Sequence, residues 1–298
     1  MSGVQAWAVT ALGAAVLAVG LRDVFHTLWH PSGHGGVSRR VMAAVWRAGR
    51  RARQQGRSSV LAGPLAMVVV VFTWVTLVVL GCTLVYWPHL PAGFVTSSEL
   101  EFQEGPLFLD ALYLSTVTVA TLGFGDIVPV SEWLRVLVPL QALIGFALVT
   151  AAVTWVLQIY PALTRRRALA IRLSLLHRVD ARRLVDDADS DLAAPVLESL
   201  ATELVQSRVD LTQYSETYYF RDGDDQASLP AMLGVAVHLR GAAREAPRSD
   251  VRIAGELLGH AIDDFARIVA LQFLRDGLPP DDVVDAYAAD HGHQVTRP

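Results

Sequence analysis

The apolar positions of the 298-residue chain fall into two regimes. Up to residue 160 they come in long runs; beyond it they recur every three or four residues among charged side chains. Residues 65–87, LAMVVVVFTWVTLVVLGCTLVYW, carry no charge and close on a Tyr-Trp pair. Residues 133–160, WLRVLVPLQALIGFALVTAAVTWVLQIY, carry one charge, Arg135, with aromatics at both ends, and residues 4–21 form a weaker run of the same kind. Hydrocarbon about 30 Å thick takes about 20 apolar residues of α-helix to cross, and Trp and Tyr collect at its two faces. The pattern therefore predicts three membrane-spanning helices. The first lacks both the basic start and the A-x-A cleavage site of a secretory leader, so it reads as a retained helix.

Between the second and third runs lies GPLFLDALYLSTVTVATLGFGDIVP, residues 105–129. Pro106 suits the first position of a helix, which the apolar residues 107–120 then continue. That helix is too short to span, so the chain must enter the membrane and return on the same side. Backbone that leaves helical geometry at such depth is tolerated only inside protein or along a water-filled path.

Past residue 160 the repeats Val196, Leu197, Leu200, Leu204 and Leu257, Leu258, Ala261, Ile262, Phe265, Ile268, Val269 predict amphipathic helices. Ser228-Leu229-Pro230 and Ser249-Asp250 look like helix starts, and Gly277 with Pro279 and Pro280 like a stop, giving about five helices. No β alternation, no G-x-G-x-x-G and no Walker loop interrupt them. The expected fold class is an all-α membrane protein. Its domains are an N-terminal transmembrane helix at 1–30, a basic linker at 31–62, a two-span segment with its re-entrant loop at 63–160 and a helical domain at 161–298.

Charge sets the orientation. Residues 31–62 hold seven Arg and no acid, residues 88–106 hold three Glu and no Arg, and Arg165, Arg166 and Arg167 follow the last span. By the positive-inside rule the N-terminus lies outside the plasma (inner) membrane, and the linker and helical half lie in the cytoplasm. Residues 1–160 carry nine Arg against seven acids, and 161–298 sixteen Arg against twenty-two acids, so neither half is basic enough to imply nucleic acid. The single Cys82 excludes a disulfide framework or a cysteine metal site.

The return of the loop reads TLGFGD, residues 121–126. Set between a short re-entrant helix and a closing span, it resembles the T-V-G-Y-G-D selectivity filter of potassium channels with one pore loop per chain, the bacterial two-helix pore type. The resemblance covers residues 60–160 and extends to GFALVTAAVTWV in the last span; the N-terminal helix and the helical half are additions to it. It implies that carbonyls of Thr121, Leu122, Gly123 and Phe124 replace the water shell of K+ as permeant ion, with the Thr121 hydroxyl as innermost ring. Gly123 and Gly125 would let the backbone alternate in handedness, and Asp126 would brace the outer end of the filter. Leu122 stands where Val is usual, Phe124 where Tyr is usual, and Val117 where some members carry Glu. One loop per chain and four per filter imply a homotetramer, and the C-terminal ends of the short helices would favour a cation at its centre.

A tetrameric potassium-selective channel is the leading expectation. The alternatives are a weakly selective cation channel, should Leu122 and Phe124 loosen the filter, and a membrane-anchored sensor or scaffold with a vestigial pore. No catalytic constellation is legible, so the chain reads as a non-enzyme without a cofactor. No span carries Arg at every third position, which excludes a voltage sensor. Gly145 in the last span matches the position where the family's inner helix often bends, or else allows close packing. Asp23, His26 and His30 share a helical face at the inner interface. They form either a metal or proton-sensing site or a polar end held by headgroups and water. Residues 37–54 are amphipathic as a helix, which either lies on the inner leaflet against anionic lipid or packs on the helical half. RDGDD, 221–225, lacks calcium-loop spacing and reads as an exposed turn. The stimulus and ligand of the helical half are not legible.

Overall fold

The computed structural model describes residues 3–29, 35–54, 61–96, 107–274 and 277–297. Ten α-helices are described: α1 Gly3–Leu28, α2 Gly36–Gln54, α3 Ala62–Tyr86, α4 Leu107–Val119, α5 Glu132–Arg178, α6 Arg182–Asp186, α7 Ala193–Gln213, α8 Leu229–Glu245, α9 Ser249–Phe273 and α10 Pro280–His291. One short antiparallel ladder accompanies them, β1 Phe94–Thr96 with β2 Ile127–Pro129, in which Thr96 pairs with Ile127. The fold is all-α, and α1, α3 and α5 are each long and apolar enough to cross a membrane. Pro106 and His30 lie outside the described residues.

The chain divides into two compact units, Met1–Val41 with Met67–Leu157, and Met42–Ala66 with Gln158–Pro298. In the first, α1 packs on α3 through small residues. A Cβ on Gly13 would fall 2.6 Å from the Gly81 carbonyl oxygen, and one on Gly81 2.9 Å from the Leu17 amide, so the crossing holds glycine on both helices. Near the ladder, Cys82, Val85, Tyr86, Phe94, Ala111, Leu114, Ile127 and Leu134 form one buried cluster that joins α3, α4 and α5. Helix α1 runs past the apolar run that ends at residue 21, within the 1–30 expected for it. Arg22, Asp23 and His26 continue its turns, because leaving the apolar run does not break the intrahelical hydrogen bonds.

In the second unit, Leu197, Leu200 and Leu204 of α7 and Leu258, Ala261, Ile262, Phe265 and Val269 of α9 are buried, whereas Val196 and Ile268 are half-buried and Leu257 is exposed. The basic stretch 42–54 belongs to this unit. Its Met42 and Trp46 are buried, with Trp46 in ring contact with Tyr218, Tyr219 and His291. Trp46 Nε1 donates to Asp290 Oδ2 at 2.8 Å, Tyr218 Oη donates to the same oxygen at 2.8 Å, and Arg50 pairs with Oδ1 at 2.6 Å. The apolar side of α2 at these residues is therefore committed to protein, with Arg47 and Arg51 left exposed.

Helix α5 continues without a break into this unit. Residues one apart on a helix point about 100° apart, so three successive arginines fan out to different partners. Arg165 makes a bidentate pair with Asp210 of α7, both contacts at 2.8 Å. Arg166 donates to the carbonyls of Thr217 at 2.6 Å and Phe220 at 2.8 Å and pairs with Asp222 at 3.2 Å, while Arg167 pairs with the other Asp222 oxygen. The 221–225 turn is thus not wholly exposed: Asp222 is buried and neutralised by two guanidiniums, and only its neighbours face solvent.

Candidate functional site

Helix α4 stops one residue short of the predicted 107–120 because the backbone turns left-handed just beyond it. Thr121 has φ 58°, its amide donates to the Thr118 carbonyl at 2.9 Å, and the Leu122 amide donates to the Val117 carbonyl at 2.9 Å. Those two bonds are the Schellman termination, usually built on glycine. A β-branched residue at positive φ is strained, and strain of that kind collects where function over-determines the backbone. Gly123 follows with φ 53° and Gly125 with φ 78°, so left-handed residues alternate with Leu122 and Phe124. Nothing lies within 4 Å of a Cβ built on either glycine, and Leu122 and Phe124 are 60% and 65% exposed. The stretch 121–125 is an open strip of alternating handedness rather than a packed turn.

Both ends of the strip are anchored. At its C-terminal end the Tyr113 hydroxyl on α4 donates to Asp126 Oδ2 at 2.6 Å, and β2 begins at the next residue, whose amide donates to Asp126 Oδ1 at 3.1 Å. At its N-terminal end the C-terminus of α4 rests on α5: a Cβ on Gly145 would meet the Val119 carbonyl oxygen at 2.1 Å. Gly145 thereby permits the close packing read as one of its two roles. A buried polar chain holds the flank of α4. Tyr86 Oη donates to Gln141 Oε1 at 2.7 Å, Gln141 Nε2 donates to the Ser115 carbonyl at 2.9 Å and to Ser115 Oγ at 2.8 Å, and Ser115 Oγ donates to the Val79 carbonyl at 2.8 Å. Every member of the chain has a partner, as burial in an apolar surround demands.

Sequence reasoning singled out Asp126 but missed Tyr113, Ser115, Gln141 and Tyr86. The signal present was polar side chains inside otherwise apolar segments.

The structure separates Asp23 from any free polar site. Its carboxylate, 4% exposed, accepts from the amides of Val37 at 2.7 Å and Ser38 at 3.0 Å, from Ser38 Oγ, and from Trp74 Nε1 at 2.9 Å. A side chain of α1 thus caps the first turn of α2, where unpaired amides and the helix dipole favour an anion. His26 sits one turn on, half-buried, its ring 5.9 Å from that of Phe25. Among the described residues no three His, Cys, Asp or Glu are grouped to hold a metal.

Residues 67–160 match a protein-family model described as ion channel. The uncharacterized membrane protein YdjJ of Bacillus subtilis is 28% identical over 181 residues, which cover 59% of this chain and 51% of that protein. TvoK of Thermoplasma volcanium, named a calcium-gated potassium channel, is 24% identical over 202 residues, 65% of this chain and 48% of that protein. The chain spans about half the length of these curated relatives. No solved structure matches it significantly. The likeness to the ion-channel family rests on residues 67–160, which hold α4, most of α3 and most of the apolar part of α5.

Proposed function

We propose that the protein is a homotetrameric, passive potassium channel, with the carbonyls of Thr121, Leu122, Gly123 and Phe124 from four chains lining one axis. The observation that carries this reading is the alternation of left-handed backbone at Thr121, Gly123 and Gly125. A row of carbonyls can replace an ion's water shell only if successive peptides turn the same way, and that alternation suits the requirement. The open side of the strip supports the presence of further copies. So does α5, where Val136, Leu140, Leu143, Phe146, Val149 and Val153 are large and exposed at spacings of three and four. The distribution of arginine supports an outward N-terminus and a cytoplasmic helical half.

We assign opening to the helical half, because α5 enters it directly and is held there by Arg165, Arg166 and Arg167. The calcium dependence in the name of the Thermoplasma protein is not carried over, since Asp222 of the 221–225 turn is already paired with Arg166 and Arg167. Mass measurement in nanodiscs tests the assembly: a tetramer is expected, and a stable monomer or dimer would overturn it. Comparing potassium and sodium flux through the reconstituted protein tests the ion choice.

A further inference from the structure

Beside the Asp23 cap, the end of α1 and the first turns of α2 enclose an open recess of about 320 Å³. Val19, Arg22 and His26 line it from α1 and Arg40 from α2. The volume is at the low end of small-ligand sites. Residues 19, 22 and 26 are three and four apart and share one helical face, so the recess has apolar and cationic sides in sequence along α1. Val19 is 50% exposed, and Leu12, two turns before it on the same face, is 57% exposed. The cationic side begins at Arg22, the first charge after the apolar run 4–21.

The electrostatics of the recess are one-sided. Its one carboxylate, Asp23, accepts from four donors and is turned into the α2 cap. Arg22 and Arg40 are exposed and make no hydrogen bond or ion pair among the described residues, whereas the arginines of α5 at 165, 166 and 167 are all paired. Phe25 and Trp29, stacked at 6.1 Å and both more than half exposed, stand on the same end of α1, where an aromatic belt marks the headgroup level.

We propose that this recess binds the phosphate headgroup of an anionic phospholipid, with Arg22 and Arg40 on the phosphate, His26 beside it, and an acyl chain running along Val19 and Leu12. A free phosphate would use the guanidiniums but leave the apolar run unused. The site lies at the end of α1 and the start of α2, so occupancy also steadies the Asp23 cap that fixes α2. It extends the membrane reading above by giving lipid a defined place, and its test does not depend on conduction.

The full chain, purified into nanodiscs of phosphatidylcholine with or without phosphatidylglycerol, is analysed by native mass spectrometry for retained lipid. Wild type should keep phosphatidylglycerol in preference to phosphatidylcholine. Arg22→Gln with Arg40→Gln should weaken that retention about thirtyfold, taking each arginine near a headgroup at its usual contribution. Arg47→Gln with Arg51→Gln, on α2 but outside the recess, should leave it unchanged. Equal retention by wild type and the first pair overturns the site, and equal loss in both pairs reduces it to diffuse charge. Displacement of phosphatidylglycerol by inorganic phosphate would make a soluble anion the occupant and overturn the lipid assignment. Potassium flux is recorded on the same preparations. Selective retention without flux keeps the lipid site and removes the channel reading, and flux without selective retention does the reverse.

Discussion

The Tyr113 hydroxyl and the Asp126 carboxylate, thirteen residues apart, meet at 2.6 Å and tie α4 to the residue that follows the 121–125 strip. The hydroxyl absent from Phe124 is thus not the only brace such a strip can have; one is supplied from α4. Tyr113→Phe removes it without changing shape. The variant should assemble as wild type does but carry less steady potassium flux, with a larger share of sodium. Flux and ion ratio equal to wild type would show that Asp126 needs no partner on α4.

Gly145 separates packing from bending. A methyl group there would overlap the Val119 carbonyl, 2.1 Å away, and overpacking of this kind costs about 1–3 kcal/mol. Gly145→Ala should lower the denaturation midpoint of the assembled protein. A variant that keeps wild-type stability but changes how often the pore opens would instead mark Gly145 as the bend.

Much of the transmembrane arrangement is legible in the sequence because lipid imposes a length and disfavours charge: residues 65–87 carry none, and 133–160 carry only Arg135, near the start of the run. The strip 121–126 stands out in the sequence because its two glycines and Asp126 directly follow a short apolar helix, Leu107–Val119, that is too short to cross. What was not legible depends on long-range pairing. Asp23 reads as a polar group at a span's end, yet its partners are the amides of residues 37 and 38 and the indole of Trp74. Trp46 on an amphipathic helix fits a leaflet as well as a protein groove; only Asp290, 244 positions away, decides between them. The short ladder of Phe94–Thr96 and Ile127–Pro129 escaped notice because three residues carry too little pattern to reveal a strand.

Asp222 is the common partner of Arg166 and Arg167, and substituting it acts on the attachment of α5 to the helical domain and not on the filter. Asp222→Asn leaves two guanidiniums short of a counter-charge, one of them buried, a loss costing about 3–5 kcal/mol when a buried pair is broken. Single-channel recording should show altered open probability with an unchanged potassium-to-sodium ratio. A changed ratio would join regulator and filter, and an unchanged open probability would remove the helical domain from gating.

Glu216 lies in the short turn Ser215–Tyr219, 6% exposed, and burial pushes its carboxyl up to about 8 from its ordinary 4.5. The folded chain therefore holds a proton that the unfolded chain releases above pH 4.5. This contribution to stability is whole below pH 4.5, declines as pH rises and is lost above about 8. Glu216→Gln, neutral at every pH, should flatten the fall in unfolding temperature across that window. Parallel curves for the two proteins would contradict a protonated Glu216.

The central claim is that residues 121–125 of four chains select potassium, and ion flux through the purified full-length protein in liposomes tests it most directly. With equal gradients of the two ions, potassium should pass and sodium should be held back, and Gly123→Ala, strained at φ 53°, should abolish the difference or the flux itself. Equal passage of sodium and potassium through the wild-type protein, or passage of neither, would contradict the account.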